Sequence, residues 1–421
     1  MFQVAHAMQA AVAGALVLPE RWKHGVAYNP LSPRTVRNPY PVLAALRARA
    51  PVHRSRFLNA WVFTRYADVR VILRDHRRFG NDPRKSNLSL LQRAILPPPH
   101  EYSMLLLDPP DHTRLRALVS GAFTPRAIDA LEPRVRGILS TLLGDIRHST
   151  AFDFMDAVAH PLPVMVIAGM LGLPPQDWRR FKVWSARRAR LLEPRLGRGE
   201  GRAGKRVSSA FAAYVRPIIE ERRARPREDI VTALIRARQD GAQLSGQETL
   251  NMLRLLLAAG SETTANLIGN GILALLRHPD QMERLREDPA LIPSAVEELL
   301  RFDAPVQVDY RRVLADCEVN GFALRKRDNV VVLLGAANRD PAAFENPDRL
   351  DVGRDPRSHL SFGSGIHHCL GAPLARLQGR IALEMLLERF RSIRLARDRP
   401  RYRPSIIMRG LESLPVRCLS A

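Results

Sequence analysis

Residues 362–371 read FGSGIHHCLG, a single cysteine in a glycine-rich loop that leads directly into the helical pattern APLARLQGRIALEMLLERF. Gly363, Gly365 and Gly371 suit a backbone that turns sharply or passes close to a flat ligand. Backbone N–H groups and the start of the following helix would stabilise a thiolate at Cys369. Such a thiolate needs a soft partner, and haem iron is one.

The loop resembles the haem-binding loop of the cytochrome P-450 family, whose pattern is Phe, Gly, any, Gly, any, His or Arg, any, Cys, any, Gly. The matching positions are Phe362, Gly363, Gly365, His367, Cys369 and Gly371. The resemblance implies that Cys369 is the axial ligand of haem b iron and that Phe362, Gly363 and Gly371 surround the cofactor. The alternatives are a buried free cysteine and a zinc site. The complete string disfavours the first, and the lack of any C-x-x-C pair disfavours the second.

The charge and the cysteines limit the class of protein. The 421 residues carry a formal net charge of +23, from 65 lysines and arginines against 42 aspartates and glutamates. This field favours acidic partners, such as nucleic acid or an acidic electron-transfer protein. Because the basic residues are spread along the chain without a zinc-finger or RNA-binding pattern, we expect no nucleic-acid binding. Cys317, Cys369 and Cys418 give no disulfide framework and favour a reducing cytoplasm.

Helical patterns dominate residues 111–390, while 38–79 read as helix, two strands and helix, and 328–335 as a further strand. The absence of βαβ alternation disfavours a doubly wound nucleotide-binding fold. We treat residues 1–37 as an N-terminal extension. Its apolar stretch 8–18 is too short to span a bilayer, so we expect no integral membrane anchor. We expect this stretch to form a helix packed on the body of the protein, with weak contact to a membrane surface as the alternative.

The segment 250–276, LNMLRLLLAAGSETTANLIGNGILALL, predicts a buried helix because it is apolar nearly all round. Burial of the Glu262 carboxylate beside Thr263 in an apolar helix costs free energy, which indicates a functional role. Thr263 would bend the helix by hydrogen-bonding back to a carbonyl. Gly260 would thin the helix so that a ligand can approach. The alternative is a satisfied helical threonine, with Glu262 paired to a distant arginine. The segment is similar to the family's oxygen-activating helix at Ala259, Gly260, Glu262 and Thr263, which implies that Thr263 hydrogen-bonds dioxygen and Glu262 helps to deliver protons.

Further charged residues match family positions. Glu298 and Arg301 stand at i, i+3, which on a surface helix is an ordinary ion pair. Their match to the family's Glu-x-x-Arg implies a buried pair for folding and haem retention, completed by Arg354. Haem propionates need cations, and Arg312 beside Arg311 leaves an ambiguity of one residue. The resemblance assigns the propionates to His112, Arg116, Arg311 and His367.

Family pockets are lined from several segments, and here the corresponding residues are largely apolar, which predicts a hydrophobic or amphipathic small-molecule substrate. The basic, glycine-rich segment 187–206 falls where the family places its channel lid, and we predict a mobile loop there. We also consider that this segment attracts a carboxylated substrate. The predicted pocket residues are Leu105, Leu106, Leu256, Val306, Val308, Ile406, Ile407 and Met408.

The resemblance implies a mainly α fold, with residues 1–421 forming one cytochrome P-450 domain, a helical prism with a small β-rich lobe and buried haem. The implied activity is insertion of one atom of dioxygen into the substrate by hydroxylation, epoxidation or dealkylation. Electrons would come from NAD(P)H through a separate acidic ferredoxin or flavodoxin-type protein. The alternatives are a peroxide-driven or non-oxygenating haem-thiolate enzyme and a haem-thiolate sensor or binding protein.

Overall fold

The computed structural model describes residues 2–87, 96–146, 151–190, 198–238, 241–355, 357–397 and 400–420. Helices predominate among these residues and the strands are short, as the sequence predicts. By its internal contacts the chain divides into two compact units. The first unit comprises Met1–Asn87, Gly269–Cys369 and Arg397–Leu414, and the second comprises Leu88–Ile268, Leu370–Ala396 and Pro415–Ala421.

The α-helices of the described residues vary from one turn to the 32 residues of Gly246–Arg277. In chain order they are Phe2–Leu16, Leu18–His24, Pro33–Arg37, Tyr40–Arg49, Tyr66–Arg74, Asp111–Ser120, Pro125–Asp129, Glu132–Gly144, Pro161–Met170, Trp178–Arg190, Arg198–Ala224, Ile230–Arg236, Gly246–Arg277, Pro279–Glu287, Ile292–Phe302, Leu334–Ala337 and Ala372–Arg389. Among these helices, none combines the length and the apolar character needed to cross a bilayer.

Most strands lie in the first unit. A five-stranded sheet there has the order Val52–Ser55, Ala60–Phe63, Asn329–Leu333, Val308–Val313, Phe79–Gly80. The first two strands form a hairpin whose turn places Asn59 at φ 49°, a left-handed conformation that asparagine tolerates well. The remaining pairs in this unit are Cys317–Val319 with Phe322–Leu324 and Arg401–Tyr402 with Leu411–Ser413.

The first 37 residues are an integral part of the first unit. Ala13, Val17 and Leu31 are buried in one apolar cluster with Leu43 and Leu46 of the Tyr40–Arg49 helix. Asn29 Nδ2 also donates a 3.0 Å hydrogen bond to Ala10 O. The prediction of a helix packed on the protein is therefore confirmed, although only one side of that helix contacts the rest of the unit.

The second unit is built on helices and one small sheet. That sheet has the order Ala151–Asp153, Pro415–Ser420, Phe390–Leu395, and all its pairs are antiparallel. The prediction of a loop over 187–206 is wrong for most of that segment, because Trp178–Arg190 and Arg198–Ala224 are helices. Each glycine costs a helix about 1 kcal/mol, and burial of Val207, Phe211 and Val215 farther along offsets that cost. Residues 191–197 lie outside the described residues.

Candidate functional site

The cysteine loop makes two sharp turns at its glycines. Gly363 and Gly365 have φ values of 70° and 72°, a region that side-chain-bearing residues rarely occupy. Cys369 N donates a 2.9 Å hydrogen bond to Phe362 O, which closes the loop, and His368 N donates to Gly365 O at 3.0 Å. Cys369 is an exposed residue. The loop is therefore a tight turn around an exposed cysteine.

The packing of the loop explains one of its glycines. A Cβ atom on Gly365 would lie 2.6 Å from Leu73 O and 2.9 Å from Arg74 Cα, at the end of the Tyr66–Arg74 helix. Gly365 therefore permits close approach to a protein backbone. Gly371 has φ −85°, which any residue adopts, and it lies just before the Ala372–Arg389 helix. Its backbone conformation therefore does not require glycine, and its close approach to the cofactor stays a prediction.

The entry to the loop is fixed by side chains that the sequence analysis missed. Ser361 Oγ donates a 2.7 Å hydrogen bond to Leu300 O and accepts one from Asn338 Nδ2 at 2.7 Å. Asn338 Oδ1 also accepts from Leu360 N at 2.7 Å. Asn338 is fully buried. Sequence periodicity does not identify Asn338, because its hydrogen-bond partners, Leu360 and Ser361, are distant from it in sequence.

Glu298 and Arg301 form an ion pair in which both side chains are 0% exposed. Arg301 Nε and Nη2 donate to the two carboxylate oxygens at 2.7 and 2.8 Å. Arg301 Nη1 also donates to the carbonyls of Asn338 and Pro347 at 2.9 and 2.8 Å. Arg354 Nε joins the carboxylate at 3.3 Å. These contacts tie the Ile292–Phe302 helix to residues 338–354, and their role in haem retention stays a prediction.

Arg311 lies in the Val308–Val313 strand with only 2% of its surface exposed. Its Nη1 is 2.8 Å from Asp309 Oδ2 and donates to Tyr310 O at 2.8 Å. Successive residues of a strand point to opposite faces, and Arg312 is the more exposed of the two neighbours. A buried guanidinium is the better candidate for a ligand carboxylate, which favours Arg311. His367, in the cysteine loop, is half-buried.

The long helix of the second unit has one exposed position in an otherwise buried stretch. Ala259 is exposed and Thr263, one turn later, is half-buried, whereas Glu262 is 5% exposed. Thr263 Oγ1 donates a 2.6 Å hydrogen bond to Ala259 O, as predicted. Ala259 and Thr263 therefore lie on the same face of the helix, and a ligand can contact that face.

Gly260 has a packing role that the sequence analysis did not predict. A Cβ atom there would lie 2.8 Å from Ile167 Cδ1 in the Pro161–Met170 helix. The glycine therefore allows two helices of the second unit to pack closely, and the approach of a ligand at this position stays a prediction.

The remaining predicted residues of the second unit lie on a ten-residue helix, on a 3-10 turn and on the long Gly246–Arg277 helix. His112 is buried in the Asp111–Ser120 helix, and Arg116 follows it by one turn, half-buried. Between them, Arg114 pairs with Glu248. Leu105 and Leu106 lie in the 3-10 turn Met104–Leu106 and are partly exposed, while Leu256 is buried, with 8% of its surface exposed.

Two of the predicted pocket residues belong instead to the core of the first unit. Val308 and Ile406 are 1% and 3% exposed and pack in one apolar cluster with Leu43 and Leu46. Their neighbours come together as expected, because Val306 forms an antiparallel bridge with Met408, and Gln307 N donates to Ile407 O at 2.8 Å. Val306 and Ile407 are partly exposed. Whether a side chain in such a short segment faces the core depends on the alternation along the chain. Three residues of sequence are too few to predict that alternation.

Sequence reasoning also missed a charged cluster in the second unit. Arg254 and Arg188 place Nη1 at 3.7 and 3.6 Å from Glu101 Oε2, and Ser208 Oγ donates to that oxygen at 3.2 Å. The Arg254 side chain is 6% exposed, and burial lowers the pKa of both arginines. Two guanidinium groups thus share one carboxylate. The feature of the sequence that could have indicated this cluster is Arg254, a charged residue inside an apolar helix.

The donors fit a haem group by their chemistry. Each unit contributes part of the predicted set: the first holds Cys369, His367 and Arg311, and the second holds His112, Arg116 and the Ala259–Thr263 face. An exposed cysteine in a glycine-formed loop is a suitable ligand for haem iron. Buried cationic side chains such as Arg311 are suitable partners for propionates. No cluster of three or more His, Cys, Asp or Glu side chains that could bind a separate metal ion occurs in the part of the chain that the structure describes.

The chain is similar to known proteins in sequence. The family model described as Cytochrome P450 matches residues 192–410. The chain is 39% identical over 391 residues to the polyketide biosynthesis cytochrome P450 PksS of Bacillus subtilis (strain 168), covering 90% of this chain and 95% of that protein. It is 40% identical over 391 residues to the 6-deoxyerythronolide B hydroxylase of Saccharopolyspora erythraea, with coverage of 90% and 95%.

A solved structure agrees in fold as well as in sequence. P450BioI, in a complex with acyl carrier protein ligated to hexadec-9Z-enoic acid, matches with a TM-score of 0.85 and 38% identity, covering 91% of this chain and 99% of that one. This similarity extends far beyond the cysteine loop from which the resemblance was first drawn. The chain therefore belongs to the cytochrome P450 family.

Proposed function

We propose that this cytochrome P450 monooxygenase inserts one atom of dioxygen into a hydrophobic or amphipathic small molecule, with both units forming one functional domain. The observation that carries the proposal is the Cys369 loop, where two left-handed glycines and the Cys369 N to Phe362 O hydrogen bond form a tight turn around an exposed cysteine residue. When bound, haem supplies an iron centre that activates dioxygen and whose reactivity a thiolate ligand enhances.

Each side chain of the proposed site has a separate task. Cys369 holds the cofactor by its thiolate, and Arg311 and His112, both 2% exposed, would neutralise propionates away from water. Arg116 and His367, which are half-buried, would bind propionates nearer to solvent. Water is excluded by the apolar side chains of Leu105, Leu106, Leu256, Val306 and Ile407, which we retain as the pocket lining.

Thr263 and Glu262 are proposed to move protons. The Thr263 hydroxyl donates to Ala259 O, so its oxygen is left to accept a hydrogen bond from the ligand side, and rotation of the hydroxyl redirects its own proton. Glu262 adjoins it on a helix that is otherwise apolar, where water is scarce and a carboxylate is a suitable proton carrier. An intact pair of this kind favours use of dioxygen over a peroxide-driven reaction or simple haem binding.

The chemistry of the substrate follows from the lining and from one charged cluster. The apolar lining favours a hydrocarbon body. Arg254 and Arg188 share the single carboxylate Glu101 at 3.7 and 3.6 Å, which leaves excess positive charge on elements of the second unit. We propose that the substrate carries a carboxylate or a comparable anionic end. The name of PksS indicates polyketide biosynthesis, the name of another relative indicates hydroxylation of 6-deoxyerythronolide B, and P450BioI was solved with an acyl group on a carrier protein.

The electron donor is proposed to be an acidic ferredoxin or flavodoxin-type protein that receives electrons from NAD(P)H. A groove of about 530 Å³ in the first unit is lined by the exposed Arg70 and Arg74, together with Val71 and Arg78. It adjoins the cysteine loop, because a Cβ on Gly365 would lie 2.9 Å from Arg74 Cα. Asp75, which pairs with Arg78, also lines the groove, so three arginines stand against one carboxylate, and this excess of positive charge is suited to an acidic partner.

The proposal is tested first by the reduced, carbon-monoxide-bound spectrum of the purified protein. A thiolate-type Soret band is expected in the wild type and its loss in Cys369→Ser. Thr263→Ala should keep that band but divert electrons to hydrogen peroxide. A Cys369→Ser variant that still oxygenates substrate would overturn the assignment, and unchanged coupling in Thr263→Ala would overturn the role of Thr263.

Substrate and donor need their own measurements. Conversion from low to high spin is monitored while polyketide lactones, fatty acids and their methyl esters are titrated, and acids are expected to bind more tightly than esters. Arg74→Glu should raise the KM for an acidic ferredoxin, whereas Arg325→Glu, an exposed arginine elsewhere in the first unit, should not. Equal binding of acids and esters would exclude an anionic end, and equal KM values would exclude the groove.

A further inference from the structure

An exposed apolar face lies on the first helical segment of the chain. Eight large apolar side chains are exposed among the described residues, and four of them fall here: Met8 at 68%, Val12 at 51%, Leu18 at 47% and Trp22 at 87%. We call these four residues the first-helix apolar face. Monomeric proteins rarely leave such side chains together in water.

This face is carried by two successive helices, Phe2–Leu16 and Leu18–His24, which meet at Val17 with φ −94° and ψ 0°. Val17 N donates to Ala13 O at 3.1 Å and Arg21 N donates to Val17 O at 3.1 Å, so the α-helical bonding continues from Phe2–Leu16 into Leu18–His24. At about 100° per residue, the first-helix apolar face covers an arc of about 120°.

The opposite side of the same helix is fixed to the first unit. Ala13, Val17 and Glu20 are buried, and each lies at least about 80° around the helix from the nearest member of the first-helix apolar face. The helix is therefore docked by one side while its other side meets solvent. The small residues Ala11 and Ala15, also exposed, lie within the apolar arc and add no charge.

The rim of this face is basic. Arg21 and Lys23 are exposed on opposite edges of the arc. Arg49 is exposed nearby, its Nη1 being 3.4 Å from the position of a Cβ on Gly25. Glu20, the sole carboxylate in residues 1–24, is 5% exposed, and its Oε1 accepts a hydrogen bond from Arg56 N at 2.8 Å. No acidic side chain thus faces outward from this helix among the described residues.

We propose that the first-helix apolar face docks the protein on an anionic lipid bilayer surface. An apolar stripe with an exposed tryptophan and flanking cations is the arrangement that partitions into the interface of anionic membranes. The net charge of +23 on the whole chain adds attraction to such a surface. The contact is peripheral, because the helix stays packed on the first unit through Ala13 and Val17, and it does not depend on the proposed catalytic function.

The test uses the full chain as the haem-loaded protein and sedimentation with vesicles. One set contains phosphatidylglycerol and phosphatidylcholine, and the other contains phosphatidylcholine alone. The wild type is expected to bind the anionic set, with a blue shift of tryptophan fluorescence that is absent in Trp22→Ser. Trp22→Ser should weaken partitioning by about tenfold or more. Phe322→Ser, which removes a side chain 38% exposed elsewhere in the first unit, should change nothing.

Three results would overturn the proposal. The first is a wild type that does not sediment with anionic vesicles. The second is equal binding by Trp22→Ser, which would assign the attraction to overall charge alone. The third is a wild-type dimer in light scattering that Trp22→Ser converts to a monomer without any vesicle binding, which would assign the face to a second copy of the chain.

Discussion

Replacement of Glu298 by glutamine tests how much the buried ion pair contributes to the first unit. The substitution keeps the shape of the side chain and replaces one carboxylate oxygen by an NH₂ group. The oxygens accept from Arg301 Nε at 2.7 Å, Arg301 Nη2 at 2.8 Å and Asp351 N at 3.0 Å. An amide therefore places a donor against at least one of these donors and leaves Arg301 without its counter-charge.

The expected cost follows from the burial. Both partners are 0% exposed, so solvent does not screen the pair, and removal of one partner of a buried pair costs about 3–5 kcal/mol. Because each kcal/mol moves the melting temperature of a large domain by about 2 °C, we expect a fall of about 6–10 °C in the holoprotein. Arg301 also holds the carbonyls of Asn338 and Pro347. Residues 338–347 should therefore loosen at the same time, and haem should dissociate more readily.

Thermal unfolding and haem transfer to apomyoglobin measure the two effects. The matched control is Glu220→Gln, which breaks an ion pair of the same i, i+3 spacing to Arg223, at 2.9 Å but with side chains 66% and 43% exposed. Exposed pairs contribute at most about 1 kcal/mol, so the control should melt close to the wild type. Equal melting temperatures for the two variants would refute the reasoning that burial gives this pair its strength.

Three further predictions concern packing and pH, each measured by urea unfolding of the holoprotein. Gly365→Ala should be more destabilising than Gly321→Ala, since both have positive φ but only the first Cβ meets backbone, at 2.6 Å; equal losses would mean that φ strain alone matters. The change in unfolding free energy caused by Gly260→Ala should be about 1 kcal/mol more favourable in an Ile167→Val background than in the wild type, because Ile167→Val removes the Cδ1 atom that lies 2.8 Å from the new Cβ. The same change in both backgrounds would show that this contact does not oppose the substitution. Burial lowers the pKa of His53 from 6.5 to about 4, so its contribution is present above pH 6.5 and is lost as pH falls toward 4. His53→Gln should therefore reduce the acid sensitivity by about 3 kcal/mol, and an unaltered pH profile would contradict this assignment.

The sequence predicted those parts of the site that are local. The helix and strand pair over 38–79 are present because apolar periodicity and turn residues such as Asn59 act over a few positions. Likewise, the hydrogen bond from Thr263 to Ala259 O follows from helical spacing. The buried pair of Glu298 and Arg301 needed the family pattern as well, because the same spacing in Glu220 and Arg223 is exposed.

The parts that failed depend on tertiary packing. The close packing of Gly260 against Ile167 was not predicted, and the backbone that Gly365 approaches is that of Leu73. Val308 and Ile406 were assigned to the pocket, yet both pack in the core of the first unit, Val308 from a strand and Ile406 from a loop. In each case the partner is tens or hundreds of residues away in the chain, so no local window contains the information.

One helix connects these observations to the cysteine loop. Ile292–Phe302 contains both partners of the buried pair, Glu298 and Arg301. Leu300 O on the same helix accepts a hydrogen bond from the Ser361 hydroxyl at the entry to the loop. Glu297 Oε2, on the same helix, lies 3.2 Å from His359 Nε2. The loop is therefore held by polypeptide contacts within the first unit that do not require the cofactor. Since a preorganised site avoids the cost of ordering its ligands on binding, a loss of rigidity in this helix should weaken haem binding even though none of its side chains is the iron ligand.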